Sequence, residues 1–473
     1  MYTSAMRLLI AIALLVAADL SPAPSAPADT IWPQFRGASG TGVADIDGLP
    51  ITWSAKKNVA WKVDVPGRGW SSPIVWRDRV IVTSTVSPGA FKPPSTGIYG
   101  NDYVAELMNQ GLSDDQVLAK LRARDIESTA EAGELQYMVY SFDVASGKKL
   151  WQQQAHRGAP FGGRHRKNTY ASETPATDGE RIYVLFGNVG LFAYSMDGRL
   201  LWTHKIDPKP RYLDFGTAAS PVVHDGRVYI LDDNEISSYI AALDAKTGAV
   251  IWKTGRTEGS PFPPSGWSSP LVWVNSARTE IVTIGRAMAM SYSLDGKELW
   301  RLGGLTQANP TPTEGGGLLY VATGSQGEAD RPLFAIKPGA RGDISLKAGE
   351  ASNAFVAWYQ PRAAAYTSSP LVFGGRVYAV NDNGVMAVFD AKSGREIYKA
   401  RVGGVGNTFS ASPFAYGGKV FCLSEDGDTF VLNAGDRYDE VAKNSLGEMS
   451  LATPAVTRDG VFVRTATSLY RIR

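Results

Sequence analysis

The chain has 473 residues, and its 50 Gly, 27 Pro, 12 Trp and 20 Tyr describe a large β core cut by many turns rather than a helical protein. Lys and Arg total 48 against 46 Asp and Glu, a formal net charge of +2 with no long run of one sign, which argues against nucleic acid as a partner. Four histidines (His156, His165, His204 and His224) and one cysteine, Cys422, exclude a disulfide framework and leave too few soft ligands for zinc.

Residues 1–28 read as a secretory signal. Arg7 precedes the apolar run from Leu8 to Ala18, which is short for a bilayer of about 30 Å, and Ala26-Pro27-Ala28 offers small residues to a signal peptidase. Cleavage is expected near Ala28, so that residues 29–473 act in the periplasm or outside the cell, with no transmembrane segment and no cysteine at the new terminus to carry lipid. The run Asn58-Val-Ala-Trp61-Lys-Val then reads as a strand with no partner close by in sequence.

From there a unit repeats. Ser-Pro or Thr-Pro followed by a short apolar run recurs at Ser72, Thr174, Ser220, Ser269, Thr311, Ser369, Ser412 and Thr453, with a basic period close to the 40–50 residues of a four-stranded propeller blade. Within a unit, pairs such as Asp178-Gly179, Asp225-Gly226, Gly374-Gly375, Gly417-Gly418 and Asp459-Gly460 join two apolar runs as tight hairpins do. A second turn follows, with an aromatic four residues after its glycine: Gly147 to Trp151, Gly198 to Trp202, Gly248 to Trp252, Gly296 to Trp300 and Gly394 to Tyr398. That even offset puts every ring on the same face, where it can wedge against the neighbouring blade.

The last unit, from Thr453 to Arg473, has room for three strands, and the orphan strand at Trp61 supplies the fourth. Joining them closes a ring without open edges. The expectation is an all-β, eight-bladed β-propeller with four-stranded antiparallel blades, spanning 29–473. An insertion at about 87–135 is expected to be partly helical, because Ser113 and Gln116 have capping-box spacing ahead of Val117, Leu118 and Leu121, and to pack on one face of the disc. A second insertion, about 325–353, reads as a polar loop; its Arg341-Gly342-Asp343 has the form of an integrin-binding tripeptide, a pattern that arises readily by chance.

Ala242-Leu-Asp244-Ala-Lys-Thr-Gly248-Ala-Val-Ile-Trp252 and Phe142-Asp143-Val-Ala-Ser-Gly147-Lys-Lys-Leu-Trp151 resemble the tryptophan-docking repeat of the pyrroloquinoline quinone (PQQ) propellers, and the resemblance covers nearly all of 53–473. Trp32-Pro-Gln-Phe-Arg36-Gly37 and the stretch from His165 to Ser172 are similar to exported bacterial members. The superfamily includes quinoprotein alcohol dehydrogenases and the outer-membrane assembly lipoprotein of the Bam complex. The first implies a quinone under a vicinal disulfide, a Ca²⁺ on carboxylate and amide oxygens, and an Asp base; one cysteine cannot form that disulfide. Turns such as Asp232-Asp233-Asn234 and Asp382-Asn383 offer oxygens for Ca²⁺ but fit hairpin turns better. The second implies a lipid anchor, for which the leader has no cysteine.

The reading is therefore an exported, non-catalytic scaffold that binds an envelope protein or a small anionic or planar ligand, as a monomer and without a cofactor. A PQQ- and calcium-dependent dehydrogenase of alcohols or sugars is the alternative, and a polysaccharide-binding module the second. The segments leading into each Ser/Thr-Pro would form one mouth of the disc. The candidates there are Trp70 and Trp267, in the near copies Gly-Trp-Ser-Ser-Pro, for stacking or for covering blade tops, with His165, Lys167, Asn168, Arg211 and Asn407 as polar contacts. No Ser, Cys or carboxylate is identifiable as a partner for His165, so no catalytic residue is assigned. Cys422 is read as buried in an apolar strand.

Overall fold

In a computed structural model, residues 28–88, 107–113, 115–117, 119–120, 133–256, 265–324 and 330–473 are described. They build eight radial sheets of four antiparallel strands. Blade 1 runs outward through Ile74–Trp76, Arg79–Val86, Leu135–Asp143 and Lys149–Gly158. Each of the eight Ser/Thr-Pro dipeptides immediately precedes an innermost strand. The two middle strands of a blade are covered on both faces, so they read as unbroken apolar runs, as in Arg227–Asp232 and Tyr239–Asp244. The outermost strands face water and alternate, as in Leu200–Lys205.

Blade 8 holds both ends of the chain. Val59–Asp64 pairs with Ser468–Ile472, placing Val59 opposite Ile472 and Asp64 opposite Ser468, as the strand count required. The predicted signal lies outside the described residues except for Ala28. No helix among the described residues is long and apolar enough to cross a membrane.

Two belts tie the blades together. In the outer belt, the tryptophan of one blade packs on the turn glycine of the next: Trp61 on Gly147, Trp151 on Gly198, Trp202 on Gly248, Trp252 on Gly296 and Trp358 on Gly394. A side chain at those glycines would fall 2.5–2.8 Å from the ring, and all five carry positive φ. Each indole N–H also donates to a backbone carbonyl of the neighbouring blade, for instance Trp202 Nε1 to Ala245 O at 3.1 Å and Trp252 Nε1 to Leu294 O at 2.8 Å. In the inner belt, the backbone N–H of each blade-opening Ser or Thr donates to the hydroxyl of the next, from Ser72 to Thr174 and onward to Thr453, through seven links of 2.9–3.3 Å. At the junction of blades 8 and 1, Arg464 reaches across instead, donating to Ser71 Oγ at 2.7 Å and to Thr83 O.

Trp300 departs from the pattern. Its indole turns to Glu280 Oε2 of its own blade at 2.8 Å, because the next turn, at Gly339, leads into a loop whose Gly342–Asp343 adds in parallel to the outer edge of blade 4. The Arg-Gly-Asp tripeptide is thus part of a sheet edge, with Arg341 over the ring of Phe355. The second insertion is also shorter than expected: Leu333–Ile336, read as loop, is the third strand of blade 5. Its four apolar residues gave too little alternation to separate them from the Gly-rich sequence around them. In the first insertion the capping box forms as predicted: Ser113 N–H donates to Gln116 Oε1 at 2.9 Å and Gln116 N–H to Ser113 Oγ at 3.4 Å. Leu107 and Val117 pack there against Leu213, Phe215 and Trp267, on the mouth face.

Glu173 lies buried beside the inner belt. Its Oε1 accepts the Gly187 N–H at 3.1 Å while Oε2 has no hydrogen-bond partner, and burial raises the carboxyl above its ordinary value. A raised acid favours the folded state while protonated; that contribution is complete below the ordinary Glu range and is lost as pH rises through the folded value. Glu173→Gln is therefore expected to stabilise the protein at pH 7, with the gain shrinking toward pH 4 in urea titrations. Gly248→Ala should cost about 2 kcal/mol or more in the same measurement, since its Cβ meets the Trp202 ring at 2.5 Å in a left-handed conformation. Gly255→Ala, which meets nothing within 4 Å, should change stability by less than about 0.5 kcal/mol.

Candidate functional site

The central channel is filled from one end by the chain's own N-terminal segment. Ile31–Trp32 runs antiparallel to the innermost strand of blade 1, and the backbone then turns back beside blade 7, where Ala415 N–H donates to Gly42 O and Ala44 N–H to Ala415 O, both at 2.9 Å. The bend between them needs left-handed backbone at Arg36 and Gly37, and the Gly37 Cα lies against the Trp32 ring. Arg36 is 1% exposed. Its Nη2 donates to Thr41 O at 2.9 Å and Pro370 O at 2.7 Å, and burial without an acidic partner lowers the guanidinium to about 9. Phe35, on the same bend, faces a central cavity of about 230 Å³.

All eight blade-opening hydroxyls line that cavity around Phe35. Seven of them accept a backbone N–H through oxygen, which leaves the O–H of each to donate. Five of the seven residues singled out in the sequence meet here: Trp70, His165, Lys167, Asn168 and Trp267. The two tryptophans play matching parts. Trp70 Nε1 donates to Lys167 O and Trp267 Nε1 to Gly216 O, each at 2.8 Å, so their N–H groups are committed to holding mouth segments while their rings remain part of the wall. Asn168 braces the mouth, with Nδ2 donating to Phe215 O and Thr217 O and Oδ1 accepting from Ser172.

The charged groups at the wall are paired. Lys167 Nζ meets Glu425 Oε1 at 2.9 Å, bringing the segment before blade 2 to the hairpin of blade 7, and Asp382 meets Arg331 at 3.0 Å. Ser410 also donates to Glu425. Burial, with Lys167 and Arg164 nearby, holds the His165 imidazole down at about 3, so it is neutral near pH 7; its Nδ1 accepts the Lys167 N–H at 3.2 Å and its ring meets Phe215 edge-on at 4.8 Å between centroids. By contrast Gln307 and Asn309, half-buried at the wall, make no side-chain hydrogen bond among the described residues.

Two predicted contacts are placed elsewhere. Arg211 lies behind the wall in an ion pair with Asp232, which Lys209 also approaches at 3.6 Å. Asp233 likewise pairs with Arg256 at 2.9 Å, so the acidic turn Asp232-Asp233-Asn234 is spent on structure. Asn407 folds back onto Gly403 O at 2.8 Å, outside the cavity. The sequence reading had missed Phe35, Gln307 and Asn309. Asn309 stands two residues before Thr311 as Trp70 and Trp267 stand two before Ser72 and Ser269, so for Asn309 the distance to the repeat was the available signal. Cys422 is buried in blade 7, as expected, and burial pushes its thiol up to about 12. Among the described residues no three His, Cys, Asp or Glu side chains assemble into a metal site.

Known proteins resemble the chain over most of its length. The family model described as outer membrane protein assembly factor BamB matches residues 41–238, 136–300, 285–404 and 345–472. Similar curated proteins include a polyvinylalcohol dehydrogenase of a Pseudomonas species, 26% identical over 204 residues covering 34% of this chain and 30% of that protein. The assembly factor BamB of Yersinia pestis is 26% identical over 210 residues, 35% of this chain and 53% of that one. The matches thus span about a third to a half of the relatives' length. Among solved structures, the quinohemoprotein alcohol dehydrogenase of Comamonas testosteroni superposes with a TM-score of 0.56 at 14% identity, over 93% of this chain and 80% of that one, a likeness of fold. With eight closed blades, the docking belt and family matches running from residue 41 to 472, the chain belongs to the BamB-like family of PQQ-type β-propellers.

Proposed function

We propose that the protein is a non-catalytic binding scaffold of the cell envelope, with its central cavity as the ligand site. The observation that carries this reading is the commitment of the reactive groups at the cavity. Glu425 and Asp382 are each engaged by a cation, His165 is neutral and held by its neighbours, and the one thiol is inside a blade. A general base must be free to take a proton, and a Ca²⁺ supporting a quinone needs several unclaimed oxygens converging on one point. The donors present do not fit that group. Export is supported by the apolar leader and by the family, one of whose members is an outer membrane assembly factor.

The second reading, a PQQ-dependent dehydrogenase, is favoured by the place of the cavity, on the propeller axis between two tryptophans. One experiment separates the two. Purified protein incubated with PQQ and Ca²⁺ and supplied with primary alcohols or aldoses is expected to show no substrate-dependent dye reduction. Turnover that saturates with PQQ and disappears in Lys167→Ala would overturn the scaffold reading.

A further inference from the structure

Three properties of the cavity define the ligand it would take. The first is charge: Lys167 and Asp382, the charged side chains on the wall, are each neutralised by a partner, and the imidazole is neutral, so the wall itself leaves a bound ion no counter-charge. Arg36 keeps its charge but lies under the floor, outside the lining, with Nη2 on the carbonyls of Thr41 and Pro370. The second is hydrogen bonding. The rim offers the O–H groups of the inner belt together with the uncommitted amides of Gln307 and Asn309, groups that both donate and accept. The third is shape. Phe35 is part of the lining, and the N-terminal bend that carries it bonds to blades 1, 6 and 7 and closes the channel on that side, so the cavity is a socket among the described residues.

We infer that this socket binds the terminal ring of a neutral glycan, seated with its C–H face on Phe35 and its hydroxyls on the rim. A pyranose combines an apolar face with a polar edge that both donates and accepts, and a neutral one carries no charge to be left unpaired. Because the socket is blind, only a chain end can enter; the following residues would lie against Trp70 and Trp267 at the mouth. The inference rests on the scaffold reading and sharpens it by naming the ligand.

The test compares linear neutral oligosaccharides with cyclic ones of the same sugars, on an array and then by calorimetry with the best binder. Linear chains are expected to bind and cyclic ones, which have no ends, to fail. Gln307→Ala and Asn309→Ala should each weaken binding about tenfold, corresponding to about 1.4 kcal/mol, with unchanged melting temperature because neither side chain is used internally. Asn407→Ala, outside the cavity, should leave affinity unaltered. An array without binders, equal binding of linear and cyclic forms, or binding unaffected by Gln307→Ala and Asn309→Ala would each overturn the inference while leaving the scaffold reading in place; quinone-dependent turnover would overturn the scaffold reading itself.

Discussion

The inter-blade wedge governs everything else in this molecule. Each sheet has two unsatisfied obligations, an apolar face and a backbone start near the axis, and both are met by the next sheet rather than by its own. Near the axis the link is a short hydroxyl-to-amide bond, which demands a side chain of fixed, small reach; Ser and Thr supply it, and the following Pro has no N–H to compete. At the rim the spacer is an indole lying on a glycine. A narrow inner spacer and a wide outer one turn flat sheets into wedges, and eight wedges complete the circle. The cavity is a by-product of the same arrangement, since the groups that link the blades are also the ones that line it.

Much of the architecture was legible because the wedge is written locally. The Ser/Thr-Pro starts, the hairpin glycines and the tryptophan four residues beyond a turn each occupy a few adjacent positions, and their recurrence gave the blade count and the pairing of Trp61 with the final strand. The capping box at Ser113 is equally local and was read correctly. What escaped notice depends on contacts between distant residues. The serines and threonines were visible as markers, but their bonds join positions 41 to 102 residues apart, and nothing within one repeat shows that the hydroxyl serves the neighbour.

The lining of the cavity was legible only in part for the same reason. Trp70, His165, Lys167, Asn168 and Trp267 were found by their offset from a blade start, an offset that the fold preserves. Arg211 has a similar offset, yet Asp232 on the adjoining hairpin captures it, and a buried ion pair outcompetes an open mouth for a guanidinium. Phe35 could not be placed at all from its own neighbourhood. Its position follows from a segment that runs up one blade and down another at the opposite side of the sequence, at residues 74–76 and 413–417.

The closing sheet has a consequence for how copies of the chain behave before they are complete. Until Ser468–Ile472 exists, Val59–Asp64 has no partner, and the first blade presents a free flank. Joining ends some 400 residues apart adds only modest entropy over a shorter loop but makes this the slowest contact to form. During that interval the strand of one molecule can complete the blade of another, giving an exchanged dimer with the same contacts as the monomer. The local chain concentration during folding would thus decide between a self-closed ring and an interlocked pair.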